Sequence, residues 1–281
     1  MQAGRAVSRS EAIERARGWY DSRQLKPRSV GYRNEMLKLA KETLPDKAPV
    51  SWTAVDMEQW WKSPRVSKLS ANRRNNLLAT VRKILELLEL DNVTAQIQRV
   101  RVPKKELSVP SRKDFQRLVS DVRGQGKRVS EHVADMIEFL AYSGCRISEA
   151  RAVTWGDIGE DFIRVTGGQD GTKNHEARSV PIIPAMNSLL ETMNKGTKKQ
   201  PLFSIRSPHQ ALRNACQRLE LDHMRVHDLR HLFATSCIES GVDIPTVAKW
   251  LGHKDGGALA MKTYGHLRDD HSKRQASRVE F

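Results

Sequence analysis

Aromatic side chains are scarce, 6% of 281 residues, so a platform of rings for stacking bases is not an obvious mode of binding. Cysteines number three, Cys145, Cys216 and Cys237. An odd set without metal-ligand spacing argues against a disulfide framework or a thiolate metal site and fits buried thiols in a reducing cytoplasm. No apolar run approaches the roughly 18–20 residues that a membrane span needs. The polar, charged N-terminal stretch lacks a secretory signal. No internal repeat or low-complexity segment is visible.

Acidic residues are also in short supply. Against 48 Lys and Arg stand 33 Asp and Glu, a net charge of +15. A surplus of this size implies a polyanionic partner, because each cation seated on a phosphate releases condensed counterions. Residues 1–104 hold 21 basic and 11 acidic side chains, and residues 105–281 hold 27 and 22. The first third is therefore the more basic clamp.

That first third reads as helices. Apolar residues recur at three- and four-residue spacing over Glu11–Arg23, Ser29–Thr43, Thr53–Lys62 and Ser70–Leu90, the period of an amphipathic helix. Thr53 with Asp56 forms a capping pair. In the fourth segment Leu77, Leu78, Val81, Ile84, Leu85 and Leu88 make a wide apolar stripe, leaving Arg73, Arg74, Arg82 and Lys83 for solvent or DNA. Gln98–Pro110, with two prolines and a basic cluster, reads as a linker, so the domain boundary is expected near Pro103. The remainder is mixed. Ser111 with Asp114 restarts a helix, and Ser130–Tyr142 continues the helical pattern. Phe162–Thr166 and Ala177–Ile183 read as short strands around a glycine-containing turn. Helices are then expected from about Ser207, with Pro208 at the first helical position, and from His227, Ile244 and Asp255. The fold class is mainly α with a small β-sheet.

Four local patterns carry chemistry: Ser143-Gly144-Cys145-Arg146 with Glu149; Gly171-Thr172-Lys173-Asn174-His175; His227-Asp228-Leu229-Arg230-His231; and Leu251-Gly252-His253 followed by Thr263-Tyr264. Together they suit phosphoryl transfer without a metal. Two arginines can clamp phosphate oxygens with forked hydrogen bonds. A lysine on a turn can protonate a leaving oxygen, and a histidine can shuttle a proton. A tyrosine, with an ordinary pKa near ~10, is a poor nucleophile until such neighbours help it. His227 and His231 stand four apart on one helix face, but no third ligand accompanies them, so no metal and no other cofactor is expected. His231 is read as a helix-packing residue or a support for the site residues rather than a catalyst.

In this order the residues resemble the tyrosine recombinase family, which includes the phage integrases. The resemblance assigns catalysis to Arg146, Lys173, His227, Arg230, His253 and Tyr264, with Glu149 in support; Lys195, Lys198 and Lys199 are alternative lysines. It implies a helical core-binding DNA-binding domain, 1–103, and a catalytic domain, 104–281. It implies a 3′-phosphotyrosyl intermediate, double-stranded DNA as partner, a homotetramer on two synapsed sites, and room for an accessory directionality factor. The location implied is cytoplasmic. The short N-terminus suggests no added arm-binding domain, and the tail after Tyr264 is either a docking segment or a disordered end. The interval from His253 to Tyr264 is longer than the family leads one to expect. Arg146→Ala or Arg230→Ala should abolish cleavage while leaving DNA binding largely intact. A type IB topoisomerase or a silent DNA-binding protein are the alternatives.

Overall fold

A computed structural model describes residues 7–25, 27–103, 109–126, 129–167, 177–193, 195–253 and 257–264. The chain divides into two compact units, Met1–Lys105 and Glu106–Phe281, each with its own hydrophobic core. No helix among the described residues is long and apolar enough to cross a membrane.

The first unit is helical. Its elements are α1 (Arg9–Asp21), α2 (Pro27–Thr43), α3 (Ala54–Lys62), the single turn α4 (Pro64–Ser67) and α5 (Ala71–Leu87). Side-chain caps fix several of the starts: Ser8 accepts from the Glu11 N–H, Ser70 from the Arg73 N–H, and Thr53 forms a reciprocal capping box with Asp56. Such caps satisfy amide groups that the first helical turn leaves over. The core joins Ile13, Met36, Leu37, Met57 and Trp60 to Leu77, Leu78, Val81, Ile84 and Leu85. Leu88, just past the end of α5, is only half-buried.

The cations of α5 depart from the expectation of a free basic face. Arg82 donates to Thr94 Oγ1 and to the carbonyls of Thr94 and Ile97, each at 3.0 Å. Arg74 donates to the Trp61 carbonyl at 2.6 Å and stacks 4.1 Å over the Trp61 ring. Arg73 pairs with Glu35. Lys83 lies between Glu86 and the Trp19 ring. These side chains fasten the first unit together.

The second unit contains α6 (Arg112–Arg123), α7 (Ser130–Ser143), α8 (Ile147–Ala150), the strands β1 (Phe162–Val165) and β2 (Arg178–Pro181), α9 (Pro184–Thr192), α10 (His209–Arg218), α11 (Val226–Glu239), α12 (Ile244–Leu251) and α13 (Ala258–Tyr264). Helices α7 and α11 pack together and supply Met136, Phe139, Leu229 and Phe233 to the core. The strands pair antiparallel, Ile163 opposite Val180 and Val165 opposite Arg178. Alternation puts Ile163, Val165 and Val180 at 0% exposure and leaves Phe162 at 51%, as period-two side chains require. Both strands are shorter than the sequence implies. Pro208 occupies the N-cap of α10 rather than its first turn. The three cysteines are buried and free.

Candidate active site

Helix α7 stops where Gly144 takes a left-handed φ of 62°. A Cβ at that position would stand 2.5 Å from the Phe233 ring and 2.8 Å from Leu251 Cδ2. Only glycine turns the chain there without displacing two core side chains. The turn delivers Arg146 to the N-cap of α8. Its backbone N–H donates to Glu149 Oε2 and its Nη1 to Glu149 Oε1, both at 2.9 Å.

Glu149 is 1% exposed and holds a second guanidinium, because Arg178 Nη2 donates to its Oε2 at 2.7 Å. Burial alone would raise this carboxyl. The hydrogen bond and charge of Arg178, with the N–H and charge of Arg146, outweigh burial and hold it at about 2. An acid whose folded pKa lies below its ordinary value of 4.5 stabilises the fold above that value and loses the contribution as pH falls toward about 2. Glu149→Gln is therefore expected to cost about 3 kcal/mol at neutral pH, since it strips two half-buried or buried cations of their counter-charge. The gap between wild type and variant should close as pH drops below 4.5. Melting curves across that range test this; a gap independent of pH would contradict it.

Arg178 has no place in the sequence-based site. It begins β2 on the face shared with Val180, and its Nε donates to the Trp250 carbonyl at 2.7 Å. It thus links the Arg146 turn to the end of α12 through Glu149. A charged residue in register with the core face of a strand was the available signal. The expected general acid, Lys173, lies outside the described residues, as does the rest of its turn.

Arg230 lies on α11, 3% exposed. Its Nη1 donates to the Gly144 carbonyl at 2.8 Å, and its Nη2 to the Leu251 carbonyl at 2.7 Å. Those carbonyls sit at the C-terminal ends of α7 and α12, where the backbone dipoles are negative, so two helix ends converge on one cation. Arg230 Nη2 also lies 3.1 Å from His253 Nε2. A guanidinium can only donate, so a hydrogen bond there makes His253 Nε2 the acceptor. These bonds leave further guanidinium hydrogens for an anion. Burial and the charges of Arg146 and Arg178 pull Arg230 down to about 10, which keeps it a cation at neutral pH.

One turn apart on α11, the rings of His227 and His231 meet edge to face at 5.0 Å. Burial first, then the Arg230 charge, lowers His227. Burial and His227 hold His231 at about 4. Helix α13 ends on Tyr264, 2% exposed, whose hydroxyl shares a 2.6 Å hydrogen bond with His231 Nδ1. Burial pushes Tyr264 up to about 12, against the opposing charge of Arg230. The arrangement therefore gathers Arg146, Arg178, Arg230 and His227 within one electrostatic field, with His253 and Tyr264 attached through Arg230 and His231. Of the two roles expected for His231, packing or support of the site residues, its hydrogen bond to Tyr264 favours the second.

The sequence profile of the phage integrase family matches residues 109–271. The chain is 26% identical over 282 residues to the tyrosine recombinase XerD of Rickettsia bellii, covering 87% of this chain and 90% of that protein. It is 26% identical over 271 residues to the tyrosine recombinase XerA of Saccharolobus solfataricus, covering 88% and 89%. Among solved structures, a lambda integrase tetramer bound to a Holliday junction superposes with a TM-score of 0.73 at 15% identity, over 92% of this chain and 81% of that one. The Tn1549 transposon integrase in complex with a circular intermediate DNA gives 0.72 at 13% identity, over 95% and 99%. Both likenesses concern the fold.

Proposed function

This chain belongs to the phage integrase family, which makes it a site-specific tyrosine recombinase, and we propose that it cleaves and rejoins DNA through a 3′-phosphotyrosyl bond at Tyr264 to integrate or excise a mobile element. The observation that carries the reading is the placement of Arg230. One buried cation touches His253, shares the field of Arg146 and opposes part of the rise that burial gives the Tyr264 phenol.

In this mechanism Arg146 and Arg230 neutralise the non-bridging oxygens of the phosphate as it becomes pentavalent. Tyr264 forms the new bond to phosphorus, and the bond to the 5′ oxygen breaks. Lys173 donates the proton that the leaving oxygen takes up. His227 and His253 hold the phosphate and its arginines in place. The phosphotyrosyl bond conserves the energy of the broken linkage, so a 5′-hydroxyl from a partner strand can attack it without ATP. Residues 1–103 act as the core-binding domain and residues 104–281 as the catalytic domain. Four copies act on two synapsed duplexes in the cytoplasm, with an accessory factor setting direction.

A plasmid carrying paired target sites tests this against a topoisomerase of similar chemistry. Recombinant product that depends on both sites supports the reading; relaxation indifferent to the sites rejects it. DNA affinity should fall steeply with salt, the logarithm of the binding constant dropping by nearly one unit per phosphate contacted for each tenfold rise in salt. Titrations at several salt concentrations measure that slope, and a flat response would remove the basic clamp from the account.

A further inference from the structure

We infer that His231 is the immediate proton acceptor for Tyr264, a catalytic role additional to the six residues named above; the inference rests on the recombinase reading. The geometry selects it. The Tyr264 hydroxyl lies 2.6 Å from His231 Nδ1, with the rings 5.8 Å apart at 60°. His253 Nε2 is already on Arg230. The His227 ring stands nearly perpendicular to the His231 ring. Among the described residues, His231 is the side chain seated on the nucleophile's oxygen.

The step balances as follows. The Tyr264 oxygen forms its bond to phosphorus while its proton passes to the lone pair of His231 Nδ1. The bond from phosphorus to the 5′ oxygen breaks, and that oxygen takes its proton from the general acid. His231 is left as an imidazolium. On rejoining, a 5′-hydroxyl bonds to phosphorus and gives its proton to the deprotonated general acid, the bond from phosphorus to the phenol oxygen breaks, and the imidazolium returns its proton to that oxygen. The step needs a neutral ring protonated on Nε2. Burial supplies the neutrality, since it holds His231 at about 4. Burial also holds the phenol at about 12, so Tyr264 does not ionise unaided at neutral pH and a free phenolate does not accumulate. Proton loss must accompany bond formation, and an incoming phosphodiester anion stabilises the imidazolium as it forms.

His231→Asn separates basicity from positioning, because the amide can accept the same hydrogen bond but cannot keep a proton. The assay is single-turnover cleavage of a nicked suicide substrate, with DNA binding and melting measured alongside. The variant should bind DNA like wild type and cleave at least about 100-fold more slowly, the usual range for a lost general base. A fluorinated, more acidic tyrosine at position 264 should then recover much of the deficit, because the phenol needs less help. Cleavage at the wild-type rate overturns the inference. So does a deficit that the acidic phenol leaves unchanged, which would mark a packing role. A second measurement needs no change at position 231: ¹⁵N resonances of the wild-type His231 ring, assigned through their shift in Tyr264→Phe, should show Nδ1 bare and Nε2 protonated. The opposite tautomer overturns the inference. If wild type itself forms no covalent bond through Tyr264, the recombinase reading fails and this inference with it; a covalent wild type beside an unimpaired His231→Asn removes the inference alone.

Discussion

Tyr264→Phe is expected to eliminate covalent capture of nicked DNA while leaving DNA affinity and melting temperature close to wild type. The ring belongs to the core of the second unit, and phenylalanine keeps that ring. What disappears is one hydroxyl and its hydrogen bond to His231. A neutral hydrogen bond of this kind contributes about 0.5–1.5 kcal/mol, too little to unfold a domain. The chemical loss is complete, because the atom that would bond to phosphorus is gone. Denaturing electrophoresis of the DNA adduct gives the result directly. A surviving adduct would move the nucleophile elsewhere, and the other tyrosines are poorly placed to accept the role. Tyr142 lies on α7 with its hydroxyl 3.2 Å from Glu138, and burial with that carboxylate raises its pKa well above the usual phenol value. Tyr20 is buried in the first unit's core, and the Tyr32 hydroxyl accepts from Asn76.

The second large effect separates two arginines that the sequence treats alike. Arg146→Ala and Arg230→Ala should each slow cleavage by about 10³-fold or more, since each removes a charge from the developing phosphate. Their structural costs differ. The Arg146 side chain is 23% exposed and pairs with Glu149, so its removal opens the site toward solvent. Arg230 is buried and caps the carbonyls of Gly144 and Leu251. Its loss leaves two buried carbonyls unsatisfied at helix ends, a cost of about 2–5 kcal/mol. Arg230→Lys would restore the charge but not the fork that reaches both carbonyls. The expectation of intact DNA binding therefore stands for Arg146→Ala. For Arg230→Ala a lowered melting temperature should accompany the loss of cleavage. Equal melting temperatures for the two alanine variants would refute this division.

Periodicity and caps made the helices legible. Thr53 with Asp56 and Ser111 with Asp114 cap helices at the expected places, because an N-cap acts over three residues and leaves a local trace. Helix α9, Pro184–Thr192, has no counterpart among the expected helices, and the single turns α4 and α8 left no trace, since four residues are too few to show a helical period. The site divides in the same way. The order of Arg146, His227, Arg230, His253 and Tyr264 is written along the chain. The bonds that organise these residues are not. Arg178 reaches Trp250 across 72 residues, Arg230 reaches Gly144 across 86, and His231 reaches Tyr264 across 33. A basic residue heading a short strand and a second histidine in a helix look unremarkable until those partners arrive. The α5 cations carried the converse lesson: charge was legible, but its expenditure on Thr94, Ile97 and Trp61 was not.

The double seat of Arg230, on Gly144 and Leu251, also bears on how such a protein could lose its trade. A descendant relieved of any need to cut DNA could discard the Tyr264 hydroxyl at little cost, because the ring would still fill its place. It could not discard Arg230 as freely, since the ends of two helices depend on it. Decay should follow an order set by packing, with the nucleophile the first to go and the phosphate clamp the last. An arginine at this position in a silent relative would then record architecture, and the tyrosine would remain the better witness of activity.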